Sequence, residues 1–145
     1  MTLKQWQEFG WLRAEPTSRD EIANLLAIVE RDLGDAAATI SADWRFGIAY
    51  NATLKLCTIL LRAEGFRAGH GLQHYRTIQA MPLILGAENK PEAAYLDSCR
   101  IKRNTVEYDY VGGASDRAAD ELIAFTREFQ EEVSEWLRRH HPELV

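Results

Sequence analysis

The fold this sequence predicts is all-α, a four- to five-helix up-and-down bundle. Three observations carry that expectation. Apolar residues recur at spacings of three and four in successive segments, the linkers between segments are short, and no run alternates apolar and polar residues as a half-buried strand does. With 145 residues, 46% of them apolar, the chain has room for one domain and enough apolar side chains to build a core without disulfides or metal. Residues 1–145 therefore read as a single domain, with residues 1–15 as an N-terminal extension.

The segments follow in order. Leu3 to Leu12 reads as a short amphipathic turn or helix broken near Gly10. A longer helix starts from Thr17 or Ser18, with Asp20 and Glu21 in the first turn where carboxylates suit the positive helix end. Its apolar residues Ile22, Leu25, Leu26, Val29 and Leu33 share one face, and Gly34 is expected to stop it. Ser41 can cap the next helix, which runs to about Glu64 and is stopped by Gly65. Apolar residues from Phe46 to Leu61 surround much of its axis, so it belongs in the middle of a bundle. After a loop from Arg67 to Gly71 comes a helix from about Leu72 to Leu85, kinked where Pro82 removes a backbone hydrogen bond. Pro91 suits the first turn of the following helix, which extends to about Tyr110 and ends before Gly112-Gly113. Ser115 or Asp116 opens the last helix, where Leu122, Phe125, Phe129, Val133 and Trp136 recur on one side.

Seventeen Lys and Arg against twenty-two Asp and Glu leave a net charge of −5. That is the wrong sign for a domain that holds nucleic acid across its whole surface, so any such contact needs a local basic cluster. Cys57 and Cys99 lie far apart among apolar neighbours, and the chain opens without a signal-peptide pattern, which predicts a cytoplasmic protein. The apolar stretch Leu54 to Leu61 is far shorter than the roughly 20 residues of a membrane span.

One segment departs from bundle logic. The stripe Leu96, Cys99, Arg103, Val106, Tyr110 has inward spacing, yet Arg103 occupies a place where a bundle ordinarily puts Leu. A guanidinium there must be paired, either by Glu107 one turn later, by a partner chain, or by a bound phosphate. A structural ion pair and a ligand site are both open at this point. At about 100° per residue, Tyr110 lies about 20° from Arg103, Glu107 about 40°, and Tyr108 about 140°. Arg100, Arg103, Asn104, Glu107 and Tyr110 make a polar patch with the chemistry for phosphate and base contacts.

The helix order, the stretch from Tyr50-Asn51-Ala52 to Leu61 followed by Glu64-Gly65-Phe66-Arg67, the His70 loop and the Arg100–Tyr110 segment resemble the HEPN superfamily. That resemblance covers about Thr17 to Leu137. It implies a helical bundle that often dimerises and, in many members, a metal-independent ribonuclease of toxin–antitoxin, CRISPR-linked and other defence systems. The family motif is Arg, a polar residue, then His four to six residues further, gathered in a cleft at the dimer interface. Arg103 matches the Arg, Asn104 the polar residue, and Tyr108 stands where the His is expected. Tyr110 matches the final Tyr of members paired with a minimal nucleotidyltransferase.

The resemblance thus implies Arg103, Asn104 and Tyr108 as catalytic positions and Arg100, Arg103, Glu107 and Tyr110 as ligand contacts. RNA or a nucleotide is the expected ligand, with no metal and no cofactor, in a homodimer with a possible nucleotidyltransferase or antitoxin partner. The alternative is a non-catalytic protein-interaction module of a toxin–antitoxin or stress system. Cleavage by the RNA's own 2′-hydroxyl needs a proton acceptor near neutral pH and a cation on the phosphate. Arg103 supplies the cation. Tyr108, with an ordinary pKa near 10, is a poor base, but His70 or His74 can approach from the Leu72–Leu85 helix if the bundle folds that way. As a metal pair His70 and His74 would need both to be helical, and loop capping or core packing is the simpler role. Cys99 reads as core, Glu128, Glu131, Glu132 and Glu135 as a solvated acidic face, and Trp6 and Trp11 as core or dimer contacts.

Overall fold

Side-chain hydroxyls start four of the helices, each satisfying a backbone N–H that has no partner within its helix. In the computed structural model, which describes residues 1–108 and 111–145, with residues 107 and 108 described by backbone alone, Thr2 accepts from Gln5 N–H and Ser18 from Glu21 N–H. Ser41 accepts from Trp44 N–H and Ser115 from Ala118 N–H. The elements that result are α1 (Leu3–Glu8), β1 (Leu12–Ala14), α2 (Arg19–Ala36), α3 (Ala42–Ala63), β2 (Phe66–Ala68), α4 (Gln73–Gln79), α5 (Met81–Leu85), α6 (Lys90–Tyr108) and α7 (Asp116–His140). Single 3-10 turns at Ala87–Asn89 and Pro142–Leu144 complete the chain.

The protein is predominantly helical, as the apolar spacing predicts, and α3 lies at its centre. It packs against α2, α4, α5, α6 and α7. Twelve of its residues are buried, from Phe46 through Leu56, Ile59 and Leu60 to Ala63. Each fully buried Leu or Ile contributes about 1.5–3 kcal/mol relative to an exposed one, so this helix dominates the apolar energetics. Ile22, Val29 and Leu33 of α2 and Leu122, Phe129, Val133 and Trp136 of α7 join the same core. The four glutamates Glu128, Glu131, Glu132 and Glu135 of α7 are exposed.

Three expectations are corrected. First, strands exist: β1 and β2 pair antiparallel, with Leu12 opposite Ala68 and Ala14 opposite Phe66. Three residues are too few to show alternation, and part of the stretch expected to be a loop, Arg67 and Ala68, belongs to β2. Second, α2 runs through Gly34 to Ala36. A glycine inside a helix costs only about 1 kcal/mol against alanine, and the buried side chains of Leu33 and Ala36 on either side outweigh it. Third, the Leu72–Leu85 helix is two short helices divided at Ala80, because Pro82 at the start of α5 has no N–H to continue α4. The helix bearing Arg103 begins at Lys90 and carries Pro91 in its first turn, as the sequence predicts.

The hairpin ties the N-terminal segment to the bundle. Trp6 and Leu12 form a small second core with Leu61 and Ala80, and Arg76 of α4 lies 3.6 Å above the Trp11 ring. Gly69 N–H donates to Trp11 carbonyl at 2.9 Å. A Cβ at Gly69 would stand 2.8 Å from the Gly10 carbonyl oxygen, so this close crossing of two backbones requires glycine. At the other end of α3, Asp43 accepts from the N–H groups of Gly112 and Ala114 at 2.7 and 3.0 Å. Those two hydrogen bonds hold the Asp43 carboxyl below its usual pKa.

Candidate functional site at the junction of three helices

Along α6 the expected stripe is seen from Leu96 to Val106, its last member, Tyr110, lying outside the described residues. Leu96, Cys99 and Val106 are buried, and Arg103 is half-buried between them. The Arg103 guanidinium carbon lies 5.7 Å from the centre of the Tyr50 ring of α3, and an Arg103 terminal nitrogen donates to Asn104 Oδ1 at 3.4 Å. One turn earlier, Arg100 donates through Nε to Asp97 Oδ1 at 2.8 Å and lies 5.6 Å from the Tyr75 ring of α4. The two arginines of α6 are therefore carried to the place where α3 and α4 meet it.

Tyr50 is the floor of this junction. It is 1% exposed, and its hydroxyl lies 3.5 Å from His74 Nδ1 of α4. Burial pushes the Tyr50 pKa strongly up, with the Arg103 charge the largest opposing influence. The side chain therefore stays a phenol throughout the ordinary pH range, and its oxygen can accept from His74 Nδ1–H, the tautomer that leaves Nε2 free to take a proton. His74 is exposed overall, yet its pKa is lowered, first by loss of water around the ring and then by the charges of Arg103, Lys55 and Arg100. A histidine with a lowered pKa is neutral at pH 7 and able to accept a proton. The junction thus combines two fixed cations, a buried phenol that can orient the imidazole, and a neutral imidazole.

Of the residues singled out in the sequence, Arg100, Arg103 and Asn104 lie on neighbouring turns of α6, Asn104 being exposed. The side chains of Glu107 and Tyr108, and Tyr110 entirely, lie outside the described residues. His74 is the histidine that approaches Arg103. His70 stands in the bend before α4 and is not helical, so the i, i+4 pairing a metal site would need is not formed. Cys99 is buried beside Tyr95, and burial pushes its thiol up to about 11. Tyr75 and Asp97, which flank Arg100, were not assigned a part by sequence reasoning. Nothing in residue spacing connects position 75 with position 100, and only the tertiary fold brings them together.

No protein-family model, curated protein or solved structure matches this chain. No helix among the described residues is long and apolar enough to cross a membrane.

Proposed function

We propose that this protein is a HEPN-like up-and-down helical bundle that binds RNA or a nucleotide in a cleft around Arg103 and carries the parts of a divergent metal-independent ribonuclease. The observation that carries the reading is the convergence of His74 and Arg103 on buried Tyr50 from two different helices. In this reading His74 takes over the proton-accepting part that Tyr108 cannot perform. Neutral His74 accepts the proton of the RNA 2′-hydroxyl through Nε2, and the 2′-oxygen bonds to the adjacent phosphorus while the bond to the 5′-oxygen breaks and that oxygen takes up a proton from water. Arg103, with Arg100 beside it, balances the charge that develops on the phosphate.

In this reading the protein pairs with a second copy. Ile101 on α6 is 56% exposed and Val111 94% exposed, and large apolar groups in water favour a protein contact. The same residues favour the second reading, a module that docks a nucleotidyltransferase or antitoxin partner and performs no chemistry.

Fluorescence anisotropy with a labelled single-stranded RNA separates the two. The RNA reading expects salt-sensitive binding that Arg103→Ala weakens by about tenfold or more, with a shallower salt dependence. It further expects cleavage in EDTA to a 2′,3′-cyclic phosphate end, abolished in His74→Gln. Absence of RNA binding in the unmodified protein leaves the docking module as the function.

A further inference from the structure

His74 also borders a space to which Tyr50, Arg100 and Arg103 contribute nothing. A cavity of about 270 Å³ is bounded by α3, the β1–β2 hairpin and the start of α4. Its walls carry Arg13 of β1, Lys55 and Arg62 of α3, Arg67 of β2, and the imidazoles of His70 and His74. Among the described residues that line it there is no carboxylate.

The four cations are not equivalent. Arg62 is paired with Glu21 at 2.7 Å, and Arg67 with Glu15 at 2.8 Å. These carboxylates stand outside the cavity lining and hold the two arginines in position. Arg13 and Lys55 form no ion pair among the described residues. In a chain of net charge −5, a concave surface that gathers this much positive charge and leaves two cations uncompensated is a local anion trap. A purely structural arrangement has no reason to exclude carboxylates from the walls, because the chain supplies them freely elsewhere.

We propose that this cavity binds a phosphomonoester, with its phosphate between Arg13 and Lys55 and within reach of Arg67 and the two histidines. The volume decides the size of the ligand. Small-molecule sites commonly measure about 300–1,000 Å³, so this cavity takes one phosphate with the group attached to it rather than a stretch of polymer. Charge decides the phosphate type. A monoester carries about −1.5 to −2 near neutral pH, which answers two uncompensated cations better than the single charge of an internal diester. The ligand is then a free mononucleotide or a similar monophosphate, or the terminal phosphate of an RNA. The site stands on its own residues, and only His74 is shared with the Arg103 junction.

Isothermal titration of the full chain with 5′-adenosine monophosphate and with adenosine tests the phosphate requirement. Anisotropy with 5′-phosphorylated and 5′-hydroxyl forms of one RNA tests the second source. The monophosphate, the phosphorylated RNA, or both should bind at least about tenfold more tightly than the phosphate-free counterpart. Lys55→Ala and Arg13→Ala should each remove about tenfold of that advantage, while Arg103→Ala leaves it within about threefold. Arg13 is exposed on a surface strand, so Arg13→Ala carries the test even if Lys55→Ala fails to fold. A gain for adenosine monophosphate alone assigns a free monophosphate, and a gain for phosphorylated RNA identifies the chain end. The proposal is overturned if neither phosphate form gains over its counterpart, or if the folded variants retain the full advantage. Loss of RNA binding in Arg103→Ala with monophosphate binding intact separates this site from the junction.

Discussion

The two sides of α3 are built on different terms. Towards α2 and α7 the interior is dry but for one buried carboxylate: Ile22, Val29, Leu33, Leu122 and Val133 are almost wholly buried, and Asp32 of α2 accepts from Asn51 Nδ2 of α3 at 2.6 Å. The one buried hydroxyl contributed there by α7, Thr126, donates to the Leu122 carbonyl at 2.7 Å. Towards α4 and α6 the same helix meets Arg103, Arg100 and His74 around Tyr50. Apolar packing would have been more stabilising on that side too, since charges near an interior give up hydration. The difference teaches that stability is concentrated on one flank of α3 and binding chemistry on the other.

The largest effect that can break this contrast comes from the dry flank. Leu56 is fully buried, and Leu56→Ala should destabilise the protein by about 2–5 kcal/mol through lost burial and the cavity left behind. Denaturant unfolding measures that loss. RNA affinity of the folded fraction should stay unchanged. A variant that kept its stability but lost RNA binding would reverse the assignment of the two flanks.

Next in size is the hairpin that closes the cationic cavity. Gly69→Ala forces a methyl group against the Gly10 carbonyl oxygen, and the backbones must separate. The expected cost is about 1–3 kcal/mol, seen as a lower thermal midpoint, with weaker monophosphate binding in the same variant. Unchanged stability would contradict the close crossing of the two backbones at Gly69.

Smaller still is the effect of Arg100 on folding. Its pair with Asp97 joins two partly exposed side chains, and such pairs contribute about 0–1 kcal/mol. Arg100→Ala should therefore leave the melting temperature nearly unchanged while lowering RNA affinity by a few fold. This sharpens the contrast because a comparable truncation has opposite consequences on the two flanks.

The smallest expected effect is on pH dependence. His74 has its pKa lowered in the folded protein, so the unfolded chain binds a proton first as pH falls. Above the ordinary histidine value of about 6.5 this group is neutral in both states and leaves stability unaltered. Stability should decline as pH falls from there towards the lower folded value, and level off beneath it. In His74→Gln that part of the decline should disappear from a series of melts between pH 8 and 5. An unchanged series would remove the account of His74 as a desolvated neutral base.

How much of this was legible in the sequence differs between the flanks in the same way. The dry flank is local information: Ile22, Val29 and Leu33, or Leu122, Phe129 and Val133, declare a buried face by spacing alone. Ser18, Ser41 and Ser115 declare the helix starts. Arg103 was legible for the same reason, as a charge in a place where spacing demands an apolar residue. The partner side chains were not, because Tyr50 and His74 are 24 residues apart and Tyr75 reaches Arg100 only through the packing of α4 on α6. The hairpin escaped notice because its strands are three residues long, and its pairing depends on Gly69 approaching a backbone far away in sequence. Gly34 misled because a helix stop was read from composition, whereas its buried neighbours Leu33 and Ala36 decide that the helix continues.

The central claim is that Arg103 is kept on an inward stripe for a ligand and not for the fold. Arg103→Ala, followed by a thermal melt and an RNA titration on the same preparation, tests it most directly. The account predicts stability within about 1 kcal/mol of the unmodified protein, or slightly above it, because binding residues are often poorly suited to the folded state. RNA affinity should fall by at least about tenfold, with a shallower salt dependence. A loss of roughly 3–5 kcal/mol, the cost of breaking a buried ion pair, together with unchanged RNA affinity, would make Arg103 a structural charge and contradict the assignment of a binding site to this junction.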